Sequence, residues 1–428
     1  MNKTKLLYQV FLKSDGVSTD TRDDVKNKVF FALSGENFDG NKFAETAIGN
    51  GALLAVIDKE EYNKGKKFLL VDDVLDALQS LAAHHRKIMP ARVMGITGSN
   101  GKTTTKELIS AVLSSKYSII STSGNFNNHI GVPLTLLRIK NETQIAVVEM
   151  GANHIGEIAT LCEIAKPDAG MITNIGKAHL EGFGSYEGVI EAKSEIYQYL
   201  KKHSGHVIVN KDDKLLIRLS ENMNKTTYGT NNANIEGELV SQHPFLKVKW
   251  GANGEILQCN SQLYGSYNYT NIMAAIATGI YFDVDSSSIN TAIETYISEN
   301  NRSQQIKTSY NNIILDAYNA NPFSLREAII SFHNSNFDNP WLFIGDMFEL
   351  GQFSAREHQE IVELLKNFGF KNVVLLGNEF YSAKDHSFLK FKTTNDACSY
   401  FEKNPLRGTN ILIKGSRGMK MEQLTQYL

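Results

Sequence analysis

The densest chemistry in this chain lies between residues 93 and 107. A short apolar run, Val93-Met94-Gly95-Ile96, leads into Thr97-Gly98-Ser99-Asn100-Gly101-Lys102-Thr103-Thr104-Thr105 and then into helix-forming residues. Strand, glycine loop, Lys-Thr and helix are the ingredients of a nucleoside triphosphate site. The glycines let backbone N–H groups turn inward around phosphate oxygens, and the helix N-terminus adds partial positive charge. Lys102 can reach the β- and γ-phosphates, the Thr103 hydroxyl can sit on Mg²⁺, and Gly98, Ser99, Asn100, Gly101 and Thr104 complete the ATP-binding loop. The general pattern G-x-x-x-x-G-K-[ST] wants glycine where Ile96 stands, so the spacing Gly95, Gly98, Gly101 is a narrower subtype. The plain alternative is a glycine-rich surface turn before an amphipathic helix.

Other polar groups sit where strands end. Glu149 closes the apolar run 145–148, and a carboxylate at the C-terminal end of a parallel strand beside a phosphate loop can hold Mg²⁺. A surface glutamate before a turn is its alternative. His179, after the strand and turn 171–176, and Lys193, within Glu191-Ala192-Lys193-Ser194-Glu195, read by themselves as a structural histidine and a solvated helix face. The stretch Gly124-Asn125-Phe126-Asn127-Asn128-His129-Ile130-Gly131 has three amides beside two glycines, which suits a recognition loop better than a core. Asp316-Ala317-Tyr318-Asn319-Ala320-Asn321-Pro322 closes another apolar strand, and its Asp can take ribose hydroxyls. Lys414-Gly415-Ser416-Arg417-Gly418 follows the strand at 410–413. Two cations with backbone amides there suit an anionic group, with a loop of surface charge as the alternative.

The elements that must position these groups alternate between strand and helix. Expected strands are 29–33, 52–57 and 68–71, then 92–97, 117–121, 145–149, 169–173 and 206–209. The last group is 306–310, 313–317, 341–345, 372–376 and 410–414. Expected helices are 73–89, 101–114, 156–165, 186–201, 213–221, 268–281 and 286–299, then 323–333, 354–367, 394–402 and 420–427. The β-like runs 245–250 and 256–259 suggest a small antiparallel addition. Pro90 and the polar stretch 299–305 mark linkers, so three α/β domains are expected, at 1–82, 83–300 and 301–428.

Length and composition agree. At 428 residues with 42% hydrophobic content the chain can build several cores. A net charge of −2 and the lack of a basic stripe give no reason to expect nucleic acid. Three widely spaced cysteines fit reduced thiols in a cytoplasmic protein. The apolar start, 6–12, reads as an amphipathic helix, and no run is long enough to span a membrane.

Taken together, these stretches resemble the Mur ligase family over nearly the whole chain. The carriers are Ser18-Thr19-Asp20-Thr21-Arg22 with 29–40, the phosphate loop, 124–131, Glu149-Met150-Gly151-Ala152-Asn153-His154 and 174–181. To these add 316–322, Gly345-Asp346-Met347-Phe348-Glu349-Leu350-Gly351 and 414–417. The stretches 316–322 and 345–351 resemble the branch that adds D-alanyl-D-alanine to UDP-N-acetylmuramoyl-tripeptide, with those two molecules and ATP as partners. The resemblance implies a small N-terminal α/β domain for the UDP end, a central P-loop-type parallel sheet, and a Rossmann-like C-terminal domain, in a monomer. It implies catalytic roles for Lys102, Glu149, His179 and Lys193. Two Mg²⁺ ions are expected on Thr103, Glu149, His179 and Lys193, the last as a carbamate, since CO₂ addition turns a repelling cation into a carboxylate. Asn271, Arg302 and Asp316 are expected at adenine, phosphate and ribose. Thr21, Arg22, Asn125, Asn127 and Asn128 are expected on the UDP substrate, and Tyr318, Asn319, Asn321, Lys414, Ser416 and Arg417 on the dipeptide. One departure is Tyr267, where the family usually has histidine, which bears on adenine binding. Another amide ligase of the superfamily, a folylpolyglutamate synthase type included, and a catalytically silent nucleotide-binding regulator are the rival readings.

Overall fold

The computed structural model describes residues 3–176, 180–252 and 254–428, built around three large sheets, with a two-stranded pair, Ser34–Gly35 and Phe38–Asp39, besides. The first has four parallel strands in the spatial order Val17–Ser18, Val29–Phe31, Leu54–Ile57, Phe68–Leu70. The helix Val74–Ile88 follows, N-capped by Asp73 and ended ahead of Pro90. A cut after residue 82 falls inside this helix. Its buried face (Val74, Leu78, Leu81, Ala82) belongs to a core that runs on into one face of the next sheet.

That next sheet has nine strands. Parallel neighbours run from Ile119–Ser121 through Ile145–Glu149, Arg92–Thr97, Ala169–Ile172 and His206–Asn210 to Asn224–Gly229 and Ile235–Ser241. Lys247–Ala252 and Glu255–Asn260 then add the expected antiparallel pair. The phosphate-loop strand Arg92–Thr97 lies between the strands ending in Glu149 and Ile172, so three strand ends converge beside the loop. These strands are buried on both faces, as their continuous apolar runs require.

The third sheet runs Gln304–Lys307, Asn312–Asp316, Asn410–Lys414, Pro340–Gly345, Asn372–Leu376, Leu389–Phe391, parallel except for the first pair. Its register sets Asp316 directly beside Lys414. Apolar clusters fill both faces.

Several expected elements differ in detail. The helix expected at 420–427 is a 3-10 helix, Met421–Gln426, and that expected at 286–299 ends at Thr295. The strand expected at 306–310 is Gln304–Lys307, because residues 308–311 make the tight turn that folds it back onto Asn312–Asp316. The strand Asn224–Gly229 was not expected, since its polar sequence lacks an apolar alternation. Among the described residues no helix is long and apolar enough to cross a membrane.

Candidate functional site

A cavity of about 930 Å³ lies between the central sheet and the third sheet, within the size range of ligand sites. One wall is the phosphate loop. Gly101 has φ +76° and caps the helix Lys102–Ser114, and a Cβ there would lie 2.6 Å from Asn271 Oδ1. Only glycine combines that left-handed backbone with so close an approach. The loop is tied to the neighbouring strand end: Ser99 N–H donates to Asn174 O at 2.9 Å, Asn100 N–H to Asn174 Oδ1 at 3.0 Å, and Thr173 Oγ1 to Asn100 O at 2.6 Å. Thr173 and Asn174 had no assigned role in the sequence reading. Their position as the first polar pair after an apolar strand was the available signal.

Lys102 Nζ donates to the carbonyls of Gly98 (2.7 Å) and Ser99 (3.3 Å), and burial pulls its pKa down, opposed by Glu149 and reinforced by Arg302. Glu149 is 2% exposed, which excludes the surface reading. Its Oε1 accepts from Asn127 Nδ2 at 2.8 Å, while its Oε2 is buried with no partner among the described residues. Lys193, read from its neighbours as part of a solvated face, is likewise 2% exposed and donates to Ala152 O at 3.3 Å. Burial, and then the charge of Lys102, push its pKa down to about 7. Next to it, Glu195 accepts from the N–H groups of Gly156 (2.6 Å) and Ala159 (2.8 Å) and pins the start of the helix Glu157–Ala165. His179 lies outside the described residues.

The opposite wall comes from the linker and the third sheet. Arg302 stacks on Tyr318, Cζ 3.8 Å from the ring centroid, and its Nε is buried without a partner among the described residues. Lys414 is buried and its Nζ lies 2.6 Å from Asp316 Oδ2, so the surface-loop reading of Lys414 does not hold. Asp316 Oδ1 accepts from Ser303 N–H at 3.3 Å. Asn319 and Asn321 line the cavity. Ser416 is buried and its Oγ accepts from Phe348 N–H, tying in the 345–351 stretch, while Arg417 is exposed and reaches Tyr318 OH at 3.3 Å.

Towards the first sheet the cavity is lined by Asn125, Asn127, Asn128 and His129. Asn128 Oδ1 accepts from the N–H groups of Ile130 and Gly131 and starts the short helix Gly131–Leu136. Thr21 and Arg22 are not part of this cavity. Arg22 is exposed and paired with Asp20, whose carboxyl it holds down to about 2.

Asn271 also lines the cavity, but its side chain is engaged beneath the loop: Oδ1 accepts from Thr105 Oγ1 at 3.0 Å and Nδ2 donates to Asn268 Oδ1 at 2.8 Å. Asn210, Asp213 and Glu327, which the sequence reading did not single out, line the same cavity. Tyr267 hydrogen-bonds Ser303 Oγ at 2.8 Å.

The charge balance says what fits. Among the residues that line the cavity the cations are Lys102, Arg302 and Lys414 and the carboxylates are Glu149, Glu157, Asp213, Asp316 and Glu327. The lining therefore suits an anion at Lys102 and Arg302 together with a cation at the partly unpaired Glu149. Among the described residues no group of three or more His, Cys, Asp or Glu side chains could hold a metal. Mg²⁺ takes one or two carboxylates and completes its shell with phosphates and water. The unpartnered Glu149 Oε2, with Thr103 lining the same cavity, fits such an ion.

Comparison with known proteins gives one consistent answer. Three family models match: the Mur ligase family, catalytic domain at residues 13–86, the Mur ligase middle domain at 96–279, and the Mur ligase, glutamate ligase domain at 301–417. The UDP-N-acetylmuramoyl-tripeptide–D-alanyl-D-alanine ligase of Bacillus subtilis is 36% identical over 96% of this chain and 93% of its own length. The crystal structure of MurF from Acinetobacter baumannii superposes with a TM-score of 0.87 at 29% identity, covering 99% of this chain and 97% of that one. MurF from Thermotoga maritima, in complex with ADP, gives 0.86 at 26% identity, covering 97% of each.

Proposed function

Because the chain belongs to the Mur ligase family, we propose that it is an ATP-dependent ligase joining D-alanyl-D-alanine to UDP-N-acetylmuramoyl-tripeptide, a step in assembling the peptidoglycan precursor. The observation that carries this reading is one cavity lined by Lys102 and Glu149 from the central unit and by Arg302, Asp316 and Lys414 from the opposite wall.

In the proposed reaction the terminal tripeptide carboxylate attacks the γ-phosphorus of ATP, forming an acyl phosphate and releasing ADP. The amine of D-alanyl-D-alanine then attacks the acyl carbon. A C–N bond forms, the C–O bond to the phosphoryl group breaks, and inorganic phosphate leaves. Charge builds on the phosphoryl oxygens, so positioned cations and N–H donors do most of the catalytic work. Lys102 and the N–H groups of 98–104 bind the phosphates, and Arg302 approaches from the other wall. Asp316 takes ribose hydroxyls. The asparagines at 125, 127 and 128, with Thr21 and Arg22, hold the UDP substrate. Asn319, Tyr318 and Arg417 face the dipeptide, with its carboxylate towards Arg417.

Mg²⁺, two ions by family resemblance, supplies neutralisation of the phosphoryl charge. Thr103, Glu149 and a carbamate on Lys193 would hold it, with His179 as a further ligand. A buried amine with its pKa near 7 is partly neutral at physiological pH and therefore able to add CO₂, which supports the carbamate. We place the first domain boundary after the helix Val74–Ile88 and the second near residue 301. Three buried, unbridged cysteines support a reducing cytoplasmic setting.

The test is phosphate release from ATP with UDP-N-acetylmuramoyl-tripeptide and D-alanyl-D-alanine present together and each omitted in turn. Release that needs both, with a UDP-linked pentapeptide by mass, is the expected result. Release with other amino acids keeps the ligase and moves its specificity. No release from folded protein with Mg²⁺ and bicarbonate overturns the reading.

A further inference from the structure

Asn321 does two things with one amide. Its Oδ1 accepts from Ser324 N–H at 2.8 Å and Ser324 Oγ accepts from Asn321 N–H at 3.1 Å, a capping box that starts the helix Pro322–Asn334. Its Nδ2 donates to Asn100 Oδ1 at 2.7 Å, across 221 residues of chain. The cap fixes the orientation of both amides. Asn321 must present oxygen to Ser324, so it presents nitrogen to Asn100, and Asn100 must answer with oxygen. The Nδ2 of Asn100 is then buried and without an acceptor among the described residues.

Asn100 is otherwise a fixed part of the phosphate loop. Its N–H and C=O are both held by Thr173 and Asn174, and Ser99 is bonded reciprocally with Gly176. The side chain is thus the adjustable part of a rigid loop. Contacts beside the linker, Tyr264–Ser335, Ser266–Ser331 and Tyr267–Ser303, join the two units near their covalent connection. The Asn321–Asn100 bond joins them at the phosphate loop itself.

We propose that Asn321 is a positioning residue. In the docked arrangement its capped amide holds Asn100 Oδ1 and so fixes the Asn100 side chain of the phosphate loop against the C-terminal unit. This rests on the ligase reading above and goes beyond it. The cap that starts the helix Pro322–Asn334 thus couples docking of the C-terminal unit to the phosphate loop.

The experiment compares Asn321→Ser, Asn100→Ala and the double variant. Serine keeps the helix cap but is too short to reach Asn100. The expected result is an unchanged unfolding midpoint for Asn321→Ser, kcat lowered about tenfold in each single variant, and KM for D-alanyl-D-alanine within about twofold of wild type. The double variant should be no worse than the poorer single one, because both changes break one interaction. Wild-type kcat in Asn321→Ser, a double variant showing the product of the two losses, or an effect confined to KM for the dipeptide would each overturn the proposal.

Small-angle scattering with Mg²⁺ and the non-hydrolysable analogue AMP-PCP separates this from the ligase reading. The wild type should be as compact as this structure and both single variants larger, whatever the substrate. Equal compactness in all three overturns the proposal even if the ligase assay succeeds.

Discussion

Lys414 Nζ and Asp316 Oδ2 lie 2.6 Å apart at the ends of adjacent parallel strands, each more than four-fifths shielded from water. Lys414 also lies 3.4 Å from Asn319 O, so one ammonium braces the strand end and the loop that follows it. Removing one partner of a buried pair leaves the other charge uncompensated. We expect Lys414→Ala to destabilise the protein by about 3 kcal/mol, read by denaturant unfolding. The paired change Lys414→Met with Asp316→Leu should recover much of that stability while leaving activity low. If the single variant unfolds like wild type, the pair is not a structural brace.

Asp385 shows a second, purely structural use of charge. Burial would raise its pKa, but the Lys366 ammonium at 2.6 Å, the Ser387 hydroxyl and the Phe388 N–H outweigh that and hold it down to about 2 from 3.8. A carboxyl depressed in the fold adds stability above its unfolded value and loses it as pH falls from 3.8 towards 2. Asp385→Asn should therefore cost about 2 kcal/mol at pH 7 and show a flatter acid-unfolding curve in that window. Parallel curves for the two proteins below pH 4 would show that Asp385 is not responsible.

Much of this site was legible because its residues sit where patterns change. Lys102, Thr103 and Glu149 stand at the boundary between an apolar run and a polar turn, and the sheet brings those ends together. Lys193 was not legible from its neighbours, since Glu191, Lys193 and Glu195 look like an alternating surface. Tertiary packing buries Lys193 and turns Glu195 to cap a different helix. Asn271, expected at adenine from resemblance, lines the cavity with its amide engaged by Thr105 and Asn268. Hydrogen bonds between distant elements leave no local trace in the sequence. The strand Asn224–Gly229 was hidden for a similar reason: its neighbours, not its own residues, make it a strand.

Gly101 offers a sharp steric test. Its φ of +76° disfavours any side chain, and an added methyl would meet Asn271 Oδ1 at 2.6 Å, an atom held in place by Thr105. Gly101→Ala should shift the loop and lower phosphate release at least about a hundredfold, because small misplacements of reacting groups are costly. Pairing it with Asn271→Ala removes the clash but not the backbone strain, so recovery should be partial. Full activity in Gly101→Ala would show that the loop does not need its left-handed glycine.

Tyr318 lies between two guanidiniums, with Arg302 Cζ 3.8 Å and Arg417 Cζ 5.2 Å from its ring centroid. The two cations repel, and the ring's negative face stabilises both. Since Arg302 Nε is buried without a partner among the described residues, the ring is what holds this arm over the cavity. Tyr318→Phe keeps the ring and loses only the hydroxyl that Arg417 touches. Tyr318→Leu removes the ring. The leucine variant should lose about tenfold or more in kcat, corresponding to a cation–π contribution of 1–2 kcal/mol, while phenylalanine keeps kcat and raises KM for D-alanyl-D-alanine. Because Arg302 is assigned to the phosphates, the leucine loss should already appear in the ATP-dependent step, measured as the first-turnover rate of phosphate transfer. Wild-type kcat in both variants would mean that Arg302 holds its position without the ring. Equal loss in both would move the essential contact to the hydroxyl and to Arg417.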